Sequence, residues 1–147
     1  MSATGLEVFD KTLQTTNTWL DEIMKETGPD RRVAWHVLSA VLQAVRDRVP
    51  LELAIHLGAQ LPLLVRGAYY DRWNATREPE RYRSLKEFLD RVGEGLSNAH
   101  PVNRMLAVTV VFSVLARHLS PGQLENVRDA LPKDVRALWK WDEIVSL

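Results

Sequence analysis

Seven prolines, Pro29, Pro50, Pro62, Pro79, Pro101, Pro121 and Pro132, limit what this chain can fold into. Proline lacks an amide N–H and clashes with the preceding helical turn, so it is rejected from helix interiors and accepted in first turns. The intervals between these prolines are of helical length. Reading each proline as a boundary predicts eight helices, near 6–27, 30–49, 51–60, 62–71, 84–97, 101–119, 121–130 and 132–141. Ser84-Leu85-Lys86-Glu87 and Ser120-Pro121-Gly122-Gln123 have the capping-box pattern, in which the serine takes the third N–H and the Glu or Gln reaches back. Asp30 is read as an N-cap, and Gly28 as the left-handed end of the first helix.

Apolar spacing agrees. Val33, Val37, Val41, Val45 and Val49 recur every fourth residue, widened by Ala34, Leu38 and Leu42. Leu85, Phe88, Leu89, Val92 and Leu96 mark a second helical face. Residues Ala107 to Val114 are rich in β-branched side chains and also fit a buried strand.

An internal repeat decides that segment. Leu61-Pro62 falls on Leu131-Pro132, seventy residues on, with Val65-Arg66 on Val135-Arg136 and Tyr69 on Trp139. Upstream, Val41, Leu42 and Val45 match Val111, Phe112 and Leu115. With one residue of slippage, Trp19-Leu20-Asp21-Glu22-Ile23 lies on Phe88-Leu89-Asp90-Arg91-Val92. The β-branched segment is therefore expected to be a helix like its counterpart, and the most buried one. The expected fold is all-α. Two four-helix units, 1–73 and 84–147, pack as one compact bundle with pseudo-twofold symmetry, joined by a polar linker at 74–83 within the connector 71–83. A superhelical array of the short helices is the alternative arrangement, although two copies are fewer than an open solenoid needs.

Nineteen basic and nineteen acidic residues balance, and each half is near neutral on its own. That removes the basic face nucleic-acid binding relies on. The interleaved Arg77, Glu78, Glu80, Arg81 and Arg83 are read as a solvated linker. Without cysteine there is no thiol catalysis, iron–sulfur cluster or thiolate zinc site. The opening Met1-Ser2-Ala3-Thr4-Gly5-Leu6 lacks the basic and apolar regions of a signal peptide, and Leu106–Ala116 is too short to span a bilayer. A cytoplasmic location and no membrane partner are expected.

The string Ala59-Gln60-Leu61-Pro62-Leu63-Leu64-Val65-Arg66-Gly67-Ala68-Tyr69-Tyr70-Asp71-Arg72-Trp73 carries a resemblance, with Phe88-Leu89-x-x-Val92 and a closing Leu131-Pro132-x-Asp134. Across nearly its whole length the chain resembles the bacterial domain-of-unknown-function family numbered 2267. The resemblance implies an all-α duplicated fold and no established activity. Relatives often carry glycine directly before the tryptophan, where this chain has Arg72.

Catalytic sets are missing from the sequence. His36, His56, His100 and His118 show neither His-x-x-x-His nor His-Glu-x-x-His spacing, so a helical metal pair is not expected. There is no phosphate loop around Gly93-Glu94-Gly95 and no Gly-x-Ser-x-Gly elbow. Asp21, Glu22, Lys25 and Glu26 are read as a solvated face, and His118 as a helix-dipole cap. No enzyme activity, cofactor or metal is expected.

The candidate binding residues are aromatic and basic. Arg66, Tyr69, Tyr70 and Trp73 form one cluster, repeated as Arg136, Trp139 and Trp141 in the second half. Trp, Tyr and Arg dominate interface hot spots. The competing reading is that the rings seal two short helices onto the long ones. Trp35 lies opposite the valine stripe and needs a cover, from the other half or a second subunit. His56 is the one histidine kept as a site candidate. The leading expectation is a non-enzymatic protein-interaction or scaffold module, binding a protein partner or itself as a homodimer. The alternative is a small-molecule carrier with an apolar pocket between the halves, near His56, Tyr69 and Trp35.

Overall fold

The computed structural model describes residues 2–96 and 102–139. They form eight helices: α1 (Glu7–Thr27), α2 (Arg31–Arg48), α3 (Leu51–Gln60), α4 (Leu63–Tyr70), α5 (Leu85–Gly95), α6 (Arg104–His118), α7 (Pro121–Asp129) and α8 (Lys133–Arg136). There is no strand among the described residues, and none of their helices is long and apolar enough to cross a membrane. His100, Lys140 and Trp141 lie outside them.

The punctuation acts as its chemistry requires. Pro50, Pro62 and Pro132 immediately precede α3, α4 and α8, and Pro121 opens α7. Asp30 accepts the Arg32 N–H at 2.9 Å, and Ser84 accepts the Glu87 N–H at 3.1 Å. In α7 the Ser120 N–H donates to Gln123 Oε1 at 2.9 Å. Gly28 ends α1 at φ 109°, its N–H donating to Met24 O. Asn103 caps α6 by accepting the Leu106 N–H at 3.0 Å, a cap the sequence reading missed. The last helix is shorter than expected: after Arg136 the chain tightens into a turn closed by Leu138 N–H on Val135 O.

The two β-branched-rich stripes meet in the core. Val37, Leu38, Val41, Leu42 and Val45 of α2 are fully buried, as are Val108, Val111, Phe112 and Leu115 of α6. Each such side chain contributes roughly 1.5–3 kcal/mol by leaving water. α2 is central, packing on α1, α3, α4, α5 and α6. α2 is therefore the most buried helix, with ten buried residues of 18 against seven of 15 in α6. Among the described residues, Leu106, Thr109 and Ser113 of α6 line a groove shared with α1.

Residues 71–84 are not a loose tether. Arg48 Nε donates to Tyr82 O at 2.9 Å and its guanidinium sits 5.4 Å from the Tyr82 ring centre. The Glu80 N–H donates to Asp47 O at 2.9 Å. Most connector side chains are nonetheless exposed, Arg77, Glu78, Arg81 and Arg83 among them, while Trp73, Glu80 and Tyr82 are half-buried.

Candidate functional site

Three regions hold the side chains that could do chemistry or bind. The first is a groove of about 340 Å³ between α2, α5 and the connector. Arg46 lies at its floor, only 6% exposed. A buried guanidinium is costly unless its donors are satisfied. Nη1 donates to Tyr69 O at 2.8 Å and Asp71 O at 3.0 Å, and Nε to Asp47 Oδ1 at 2.8 Å. The positive charge thus meets the negative end of α4. Asp47 also faces Arg91 at 3.4 Å, which pairs with Glu80 at 2.8 Å and with Glu94. Burial alone would lower the Arg91 pKa, but Glu80, Glu94 and Asp47 outweigh it and hold the group above its ordinary value. This is a closed ion-pair network.

The aromatic cluster divides by position. Tyr69 is fully buried and its hydroxyl donates to Ala54 O at 2.7 Å. Burial pushes the phenol pKa up, with Tyr70 and Asp47 adding to it. Tyr70 is half-buried, lies over Gly58 and stacks on Trp73 at 5.4 Å. Arg66 turns inward, donating to Gly58 O at 2.9 Å and Leu61 O at 3.0 Å, so it caps the end of α3. Trp139, also buried, stacks on Phe112 at 4.2 Å. Arg136 is half-buried. Trp35 is half-buried against the core, and His56 is exposed on α3. Neither groove is lined by Trp35, His56 or Tyr69. The rings of Tyr69 and Trp139 seal helices; Tyr70 and Trp73 keep an exposed edge.

The second region is a groove of about 490 Å³ between α1 and α6. Glu22 binds both Arg117 and His118 across it, and His118 stacks on Trp19 at 5.4 Å. Burial alone would raise the Glu22 pKa, yet the hydrogen bonds from His118 and Arg117 prevail and lower it. Sequence reasoning left Glu22 on a solvated face because its partners lie 95 and 96 residues away. Only the register of Trp19 over His118 brings them together.

The third region was not among the sequence candidates. In α1 the buried stripe is Thr12, Thr16, Trp19, Leu20 and Ile23. Helical spacing continues that stripe N-terminally through Phe9 and Val8, with Leu13 at its flank. There the cover stops: Val8 is 53% exposed, Phe9 50% and Leu13 42%. Leu63 and Leu64, opening α4, are exposed as well. The Leu64 N–H donates to Thr12 Oγ1 at 3.3 Å, which sets the start of α4 beside the N-terminal half of α1.

Arg72, where the resemblance led to an expected glycine, adopts φ 59°. The tight turn before Trp73 is therefore made with arginine in place.

No curated protein matches the chain. The model of the family described as "Uncharacterized conserved protein (DUF2267)" matches residues 16–138, from the buried stripe of α1 to the turn after α8. The chain belongs to this family, DUF2267.

Proposed function

We propose that the chain is a non-enzymatic helical interaction module that self-associates through the overhang of α1 and the start of α4. One observation carries this reading: the apolar stripe of α1 runs on through Phe9 and Val8, which stay about half exposed among the described residues. Contiguous exposed apolar surface of this kind marks association sites. A second copy supplies the same surface, and twofold pairing of one patch with itself is the commonest route to a dimer. The ionisable clusters favour a structural role, since Arg91 and Glu22 each spend their charge on partners inside the fold. The carrier reading calls for an apolar pocket, whereas the groove beside Trp73 is lined by Arg46, Asp47, Glu80 and Arg91.

We further infer that the fold arose by duplication, with units 1–73 and 84–147 related by a pseudo-twofold axis. The helix pairings support it. Exchanging α1, α2 and α4 for α5, α6 and α8 turns the α1–α2 contact into α5–α6, α1–α6 into α2–α5, and α1–α4 into α5–α8, and all six contacts occur.

Amide hydrogen exchange over a concentration series tests the self-association. Residues 7–14 are expected to exchange more slowly as concentration rises, while the amides of α2 stay unchanged. Exchange of residues 7–14 that ignores concentration would remove the proposal.

A further inference from the structure

The groove between α2, α5 and the connector holds two kinds of charged side chain. The carboxylates are spent within the fold. Asp47 is held by Arg46 at 2.8 Å and by Arg91 at 3.4 Å, while Glu80 and Glu94 both pair with Arg91. Glu78, also in the lining, pairs at 2.8 Å with Arg81, which is not among the lining residues. Each of these four carboxylates therefore has its cation.

The connector's donors are not spent. Arg72 and Arg77 line the groove, and neither guanidinium meets an acceptor among the described residues. Two neutral donors stand with them. Asn74 Oδ1 accepts from the Thr76 N–H at 3.1 Å and from the Thr76 hydroxyl at 2.6 Å, so the Asn74 amide nitrogen is the group left uncommitted. The Trp73 indole N–H likewise meets no acceptor among the described residues. A turn closed by the Arg77 N–H on Asn74 O at 3.2 Å brings Arg77 back beside Asn74, and Arg72 and Trp73 lead directly into it. Arg72 holds φ 59°, a left-handed conformation that costs an L residue energy. Strain of this kind gathers where ligands are held.

We propose that Arg72, Trp73, Asn74 and Arg77 bind a small organic phosphate monoester. Charge selects the class. Two uncommitted guanidiniums match a phosphate group carrying about two negative charges at neutral pH, and arginine takes phosphate oxygens through paired N–H donors. Four donor side chains serve its three terminal oxygens, more than the two oxygens of a carboxylate call for. Size supplies the organic part. About 340 Å³ is more than a bare phosphate fills and lies at the small end of ligand clefts, and Ala40, Ala44 and Leu51 give the groove an apolar wall. The connector leaves α4 at the end opposite Leu63 and Leu64, so this site and the self-association surface stand or fall separately.

The test is titration of the full chain with glycerol phosphate, inorganic phosphate, citrate and glycerol at constant ionic strength. The readout is the Trp73 indole resonance in proton–nitrogen NMR spectra, identified by its loss in Trp73→Phe. A saturable shift is expected with glycerol phosphate, a weaker affinity for inorganic phosphate, and no shift with glycerol. Arg72→Gly and Arg77→Ala are each expected to weaken binding about tenfold, the worth of a hydrogen bond to a charged group. Arg81→Ala is expected to leave it unchanged, because Arg81 is paired with Glu78. Arg72→Gly should also raise the unfolding midpoint while it weakens binding, a combination that a purely structural arginine does not give. Three results would overturn the proposal: no saturable shift with either phosphate, tighter binding of citrate than of both phosphates, or an affinity indifferent to Arg72 and Arg77.

Discussion

The Arg46 guanidinium donates to the Tyr69 carbonyl at 2.8 Å while Tyr69 itself is fully buried against α3. One α2 side chain therefore closes the C-terminal end of α4 and holds the chain entering the connector, since it also binds Asp71 O. Arg46→Ala leaves those carbonyls unsatisfied and frees Asp47 of one partner. A loss of about 3 kcal/mol in unfolding free energy is expected, as for breaking a buried charged network. Arg46→Lys keeps the charge without the fork and is expected to cost less. Denaturant melts of both variants check the ordering.

Arg72 holds a left-handed backbone conformation that costs an L side chain about 1 kcal/mol. Arg72→Gly relieves that strain, partly offset by the greater freedom of glycine in the unfolded chain. The expected outcome is stabilisation by about 0.5 kcal/mol, with Arg72→Val destabilising. A shift of the urea midpoint in opposite directions for the two variants is the readout.

Gly58 lies beneath the Tyr70 ring, and a Cβ there would sit 2.0 Å from Tyr70 Oη. Gly58→Ala should improve the helix propensity of α3 by about 1 kcal/mol but expel the ring from its place on Trp73. In the native background these effects oppose each other. In a Tyr70→Ala background the full gain is expected. A double-mutant cycle followed by thermal melting separates them.

Glu22 has a folded-state pKa below its ordinary value, since the hydrogen bonds from His118 and Arg117 outweigh its burial. A depressed carboxylate contributes stability above its unfolded pKa of about 4.3, and that contribution fades as pH falls through the folded value. Glu22→Gln is therefore expected to lower stability near neutrality and to flatten the acid limb of the stability profile. Chemical denaturation at a series of pH values below 5 provides the comparison; parallel acid limbs for the two proteins would exclude the role.

Local chemistry made much of the fold legible. Each of Val33, Val37, Val41, Val45 and Val49 is buried, so a four-residue spacing was enough to orient α2. Asp30, Ser84 and Ser120 cap where their neighbours require it. The repeat identified 107–114 as helix against its β propensity, because Val41 and Val111 must do the same work. Less legible were the charged side chains. Arg66 and Arg46 look like surface arginines in sequence, yet their donors close helix ends that lie 5 to 25 residues away. Nor does periodicity mark where cover ends. Phe9 and Ile23 belong to one stripe, and only packing makes the first exposed and the second buried.

Sedimentation velocity of the native chain beside a Phe9→Glu, Leu13→Glu double variant tests the self-association most directly. Both positions are about half exposed within the chain, so the variant is expected to keep its helical content and unfolding midpoint. The native protein should move from monomer toward dimer as concentration rises through the micromolar range, and the variant should stay monomeric. A native chain that remains a monomer throughout, or a variant that dimerises equally well, would contradict the account.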